Sequence, residues 1–179
     1  MLDVRYGIIK PKFDEGKIKR FGDIVSIVPK TLLARDMHKS VISLNKEIKS
    51  TETFKVRELE QIGQLCDLSL LEMLKIAGID YVMPKVKNRD DRYGNIHSVF
   101  KIGKIKSFED IFIYIPRSVV ALNCKIKSDR LGRLINKVEN FSVKEFLFIG
   151  ALCYLNKDQT YLLIVAAHES QNTIKRKKS

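Results

Sequence analysis

Three cysteines in 179 residues, widely spaced and without a CxxC pair, leave no material for a disulfide framework or a zinc site. No uninterrupted apolar run approaches the roughly 18 residues needed to cross a bilayer. The first residues include Asp3 and Arg5 and lead into no apolar h-region, so no secretory signal is read there. A reducing cytoplasm is the expected location. No glycine-rich phosphate loop and no nucleophile constellation occurs. His38, His97 and His168 stand alone, with no Cys, Asp or Glu at metal-ligand spacing around them. No catalytic residue, metal or cofactor is therefore assigned, and an enzyme is not expected.

What the chain has in excess is positive charge. Lys and Arg number 33 against 21 Asp and Glu, a formal +12 with pI near 9.6. Such a balance favours a polyanionic partner, nucleic acid or an anionic membrane face. With 45% hydrophobic residues the chain has ample material for a core.

The second positive feature is repetition. The phrase "GKIKRFGDIVSIVP" from Gly16 returns as "GKIKSFEDIFIYIP" from Gly103, an offset of 87 residues. At that offset "RYG" at Arg5 meets "RYG" at Arg92, and "FKVRELEQIGQLCDL" from Phe54 meets "FSVKEFLFIGALCYL" from Phe141. Across the first 68 positions 26 are identical without a gap, where ordinary compositions give roughly one chance identity in 15 to 20. The expected organisation is a tandem duplication with its boundary near "MPKVKNRDD": residues 1–86, residues 87–172, and a basic, disordered arm over 173–179.

Each copy reads as a run of short helices. "FGDIVSIV" from Phe21 spaces its apolar residues at a helical period, and Pro29 ends it and suits the first turn of the next helix, "KTLLARDM". Ser40 is the expected N-cap of "VISLNKEIK", whose Val41, Leu44 and Ile48 share a face. "KVRELEQIGQLCDL" is amphipathic, and "SLLEMLKIAG" runs from a Ser69 cap to a Gly78 stop. Copy two has room for an extra leading helix ending at Gly103. In copy one Pro11 interrupts that stretch, so the element there is expected to be shorter or irregular. The fold class is all-α, with five to six helices per copy.

The residues Leu33-Ala34, Leu44, Ile48, Phe54, Val56, Glu58-Leu59, Ile62 and Leu65 fall in an order that resembles the Xre/Cro, lambda-repressor-like helix-turn-helix family. The likeness covers roughly residues 18–76 and, in the second copy, 105–165. It implies two DNA-binding domains on one chain. One departure stands out: the family usually places Gly in the turn, and here the slot holds His38 or Lys125. A positive φ suits neither, so a longer or differently shaped turn is expected.

By this resemblance the outer face of the second helix of each pair lies in a major groove, where side chains reach base edges and phosphates. Copy one offers Lys39, Ser40, Ser43, Asn45, Lys46 and Lys49, with Thr31 at the start of the preceding helix. Copy two offers Lys125, Lys127, Ser128, Arg130, Arg133, Asn136 and Lys137, with Ser118 corresponding to Thr31. The implied partner is double-stranded DNA and the implied role a transcriptional regulator of bacterial, phage or mobile-element type. Two unlike reading helices would address unlike half-sites, about 34 Å or a multiple apart.

The copies also differ in polarity. Glu60, Gln61, Gln64 and Asp67 become Leu147, Phe148, Ala151 and Tyr154, while Val25 and Ile27 become Phe112 and Tyr114. Exposed apolar patches mark interfaces, so these six residues of copy two are expected to pack on the other repeat or form a homodimer. The alternative function is accordingly a protein-interaction or assembly module that has kept the fold and lost DNA. Cys66, Cys153 and Cys124 are read as core, and Glu58 and Glu145 as first-turn acids suited to the helix dipole.

Overall fold

A computed structural model describes residues 3–86 and 91–176, and every regular element among them is helical. The chain divides into two compact units, Met1–Tyr81 and Val82–Ser179. Residues 87–90, within the expected boundary segment, and 177–179, within the expected arm, lie outside the described residues.

The first unit opens with a 3-10 turn, Tyr6–Ile8, that runs into α1 (Ile9–Asp14). Pro11 falls in the first turn of α1, where its missing N–H costs little, so the element forms but stays short. There follow α2 (Phe21–Ile27), α3 (Lys30–Asp36), α4 (Val41–Lys49), α5 (Val56–Cys66) and α6 (Leu70–Gly78). Their inward faces supply a core that includes Phe21, Ile24, Leu33, Leu44, Phe54 and Ile62, all at most 2% exposed. The rings of Phe21 and Phe54 stack at 4.9 Å.

The second unit has α7 (Arg92–Lys101), α8 (Ile111–Tyr114), α9 (Arg117–Asn123), α10 (Ser128–Asn136), α11 (Val143–Leu152) and α12 (Lys157–Arg176). Phe146 replaces Leu59, and Phe108, Phe141 and Phe146 form an aromatic cluster with centroids 4.5 to 5.6 Å apart. α12 is 20 residues long against 9 for α6, and takes in residues 173–176 of the stretch expected to be a disordered arm.

The repeated phrase is a helix entrance in both units. Gly16 and Gly103 hold φ of 72° and 73°, a backbone that favours glycine, and end the helices before them. Ile18 and Ile105 are buried, 4% and 3% exposed, whereas the lysines around them are exposed. Asp23 then accepts the backbone N–H groups of Lys19 and Arg20 at 2.8 and 2.9 Å, and Asp110 those of Lys106 and Ser107 at 2.8 Å each. These carboxylates cap the helix that follows.

Four further positive-φ residues are not glycine: His38 and Asp67, with Lys125 and Tyr154 at the same offset of 87 residues. His38 N–H bonds Arg35 O at 3.0 Å and Lys39 N–H bonds Ala34 O at 2.8 Å. Lys125 N–H to Leu122 O and Ile126 N–H to Ala121 O repeat the pattern at 3.1 and 2.9 Å. This is the Schellman arrangement, which satisfies the last carbonyls of α3 and α9. The expectation of a longer or reshaped turn is thus corrected. The hydrogen bonds hold His38 and Lys125 in the left-handed region at φ 52° and 54°, and the turns stay tight.

Helix contacts close at two glycines. A Cβ on Gly63 would stand 2.5 Å from Leu68 O and 3.2 Å from Met73 Cγ, at the junction of α5 and α6. On Gly150 it would overlap Thr160 Oγ1, where α11 meets α12.

Candidate nucleic-acid interface

The elements that set the site are the pairs α3–α4 and α9–α10, each packed across its tight turn. In α10, Leu131, Leu134 and Ile135 face inward at 0%, 8% and 2% exposure. Their spacing of i, i+3 and i+4 leaves a polar outer face. Ser128, Arg130, Arg133, Asn136 and Lys137 are all exposed there, and Lys125 and Lys127 are exposed at the turn leading into it. Ser118, in the first turn of α9, is exposed too. All eight sequence-derived residues of copy two thus reach solvent.

Copy one is different. Ser40 caps α4, its side chain accepting from Ser43 N–H at 3.1 Å. Thr31, Ser40, Lys46 and Lys49 are exposed, whereas Ser43 and Asn45 are half-buried. Val41, expected on the inner face, is 37% exposed, and Ile42 is 72% exposed. Between the turn-to-helix segments, the cations Lys125, Lys127, Arg130 and Lys137 stand where copy one has His38, Ser40, Ser43 and Ser50.

Lys39 is occupied internally. Its Nζ lies 2.6 to 2.7 Å from both carboxylate oxygens of Glu47 and 2.7 Å from Glu58 Oε1, and 5.8 Å from the centre of the Phe54 ring. The three charged side chains are only 11 to 20% exposed. The lysine expected to reach DNA therefore ties the turn to α4 and α5 instead.

The counterpart of Glu58 is Glu145, and its ion pair points outward. Arg130 Nη2 lies 2.6 Å from Glu145 Oε1, with the arginine 56% and the glutamate 19% exposed. Glu145 Oε2 accepts Ser142 N–H and Oγ–H at 2.9 Å each, a capping box that fixes the carboxylate at the start of α11. The recurrence of these two acids was visible in the sequence, but their cation partners come from different positions, Lys39 and Arg130, and only folding pairs them.

The far end of α10 is held by α12. Gln171 Nε2 donates to Ile135 O at 2.8 Å and to Glu109 Oε1 at 2.7 Å, while its Oε1 accepts Val138 N–H at 3.0 Å. The first copy has Pro84 at the corresponding position, beyond the end of α6, so no sequence comparison of the copies indicated this clamp.

Two clefts flank the exposed face of α10. One, of about 510 Å³, is lined by Arg130, Arg133, Leu134, Asn136, Lys137 and Asn140. The other, of about 280 Å³, lies between Lys125, Ile126, Arg130, Lys144, Glu145 and Phe148, with Cys124 at its edge. Burial pushes the Cys124 thiol up to about 12, so it stays protonated at neutral pH. Arg130 borders both clefts. Among the described residues no carboxylate bridges Arg133 or Lys137. The chemistry on offer is that of a cationic, hydrogen-bonding ridge with amide side chains between its charges.

Of the six apolar residues expected at an interface, Leu147 and Ala151 are buried at 0% and 5% exposure. Phe112, Tyr114 and Phe148 are half-buried, and Tyr154 is 48% exposed. No helix among the described residues is long and apolar enough to cross a membrane. Comparison with protein-family models, with curated proteins and with solved structures found no match for this chain.

Proposed function

We propose that the chain is a tandem duplication of a lambda-repressor-like helix-turn-helix domain and that it binds double-stranded DNA as a transcriptional regulator of bacterial, phage or mobile-element type. The observation that carries this reading is α10. It is an exposed amphipathic helix, entered through a tight left-handed turn, whose outer face presents Arg130, Arg133 and Lys137 with Ser128 and Asn136 among them. Cations supply the phosphate attraction, while Arg and Asn side chains suit the edges of guanine and adenine. The second unit is the principal binder in this reading, because its turn, helix and helix end expose Lys125, Lys127, Arg130, Arg133 and Lys137, against Lys46 and Lys49 on α4.

Salt-titrated binding of the full chain to random duplex, and to fragments upstream of its own gene, tests the proposal. Affinity should fall steeply with salt, each phosphate contact contributing a slope of about −0.9 on a double-logarithmic plot. Charge reversal of Arg133 and Lys137 together should nearly abolish binding. Undiminished binding by that variant, or none by the unaltered chain at low salt, would refute it.

Exposed Ile42 and Val41 on α4 favour a second reading for the first unit, that of a protein-interaction module. Polar replacement of Ile42 leaves DNA affinity intact in that case and weakens it if α4 also docks on DNA through this face.

A further inference from the structure

We propose that Glu145 is a positioning residue that presents Arg130 as a rigid reader of guanine, concentrating sequence discrimination at the N-terminal part of α10. The inference rests on the DNA-binding reading above and names the residue pair through which that site would select its sequence. An unrestrained arginine next to DNA is drawn to any phosphate and confers little selectivity. Arg130 is restrained: one Nη2 hydrogen points at Glu145 Oε1, 2.6 Å away, and the other carboxylate oxygen is locked by Ser142. Four of its five N–H donors remain, enough for the paired contact to guanine O6 and N7. Its rotamer freedom is already reduced before DNA arrives, which lowers the entropic cost of a directed contact. The carboxylate at its side also repels a phosphate that would take its place. The first unit shows the alternative use of the same acid, since Glu58 there holds the largely buried Lys39 and the position of Arg130 is occupied by half-buried Ser43.

The test uses the full chain and a pool of random duplexes, with the unaltered protein, Glu145→Gln and Arg130→Lys carried through selection and then through titration on the selected and random sequences. Thermal melts of the three proteins accompany it. The unaltered chain should enrich a G·C pair at one position. Glu145→Gln should bind random duplex more tightly and lose roughly tenfold of its discrimination at that position, because one oriented bidentate contact is worth about that much. Arg130→Lys should lose the same preference while keeping its salt slope, since its charge is retained. A merely structural cap predicts something else: parallel weakening on every duplex, in proportion to lost stability. That result, or a Glu145→Gln preference equal to the parent's, would overturn the inference while leaving DNA binding standing. Absence of binding by the unaltered chain at low salt would remove the underlying reading and this inference with it.

Discussion

The hydroxyl of Tyr6 donates to the carboxylate of Asp36 at 2.9 Å, joining the leading turn of the first unit to the end of α3. In the second unit Tyr93 Oη accepts from Asn123 Nδ2 at 3.1 Å, the same two positions 87 residues later. Both tyrosines are fully buried, at 0% exposure. This accounts for the middle residue of the repeated "RYG": it locks the N-terminal element onto the helix that leads into the tight turn.

Tyr6→Phe removes that bond and leaves Asp36 to its neighbour Arg35, 2.8 Å away. Chemical denaturation should show a loss of about 1.5–3 kcal/mol, the range for a hydrogen bond to a charged group. Tyr93→Phe, losing a bond to a neutral amide, should cost less. Equal stability of both variants and the parent would show the hydroxyls to be incidental.

Lys39→Met leaves Glu47 and Glu58 facing one another without their shared cation. A destabilisation of about 1–3 kcal/mol is expected, below that of fully buried pairs because all three groups retain some solvent. DNA affinity measured well below the unfolding temperature should not change. A large drop in affinity without a drop in stability would return Lys39 to the binding surface.

Asp23 provides the pH dependence. Hydrogen bonds from the backbone N–H of Lys19, then of Arg20, hold its carboxyl below the usual carboxylate value of 3.8. A pKa lowered by folding gives stability that is fully present above the unfolded value and is lost as pH falls through the folded one. Asp23→Asn should therefore cost about 1 kcal/mol near neutrality, as for other lost caps, and progressively less below about pH 4. A variant deficit that stays constant down to pH 2 would contradict this assignment.

Gly63→Ala drives a methyl group into the Leu68 carbonyl, a backbone atom that cannot swing aside. Gly150→Ala meets Thr160 Oγ1, on a β-branched side chain that is 1% exposed and bonded to Asn156 O at 2.8 Å. Overpacking of this kind costs about 1–3 kcal/mol, and urea titration should place both variants in or above that range. Stability gains of the kind alanine brings to an open helix position would show that α5–α6 and α11–α12 can separate freely.

The sequence by itself determined the helical class, the period of 87 residues and most of the helix limits. Those features are local: apolar spacing, Ser40 and Ser69 as caps, and Pro11, Pro29 and Gly16 as punctuation act within a few residues of themselves. The family resemblance pointed to the outer-face residues of α10, and the structure turns Leu131, Leu134 and Ile135 inward on the opposite side. Tertiary structure decided how each charge is used. Lys39 and Arg130 look alike as cations beside a turn, but Lys39 meets two carboxylates and folds inward, while Arg130 meets one and stays exposed. The left-handed His38 and Lys125 were likewise unreadable, since a residue's φ yields to the hydrogen bonds that close a helix end. Nor did either copy reveal Gln171, whose partners Glu109, Ile135 and Val138 lie at least 33 residues away. Short-range pattern encodes where helices form; which side chains meet across them depends on contacts that exist only once the chain has packed.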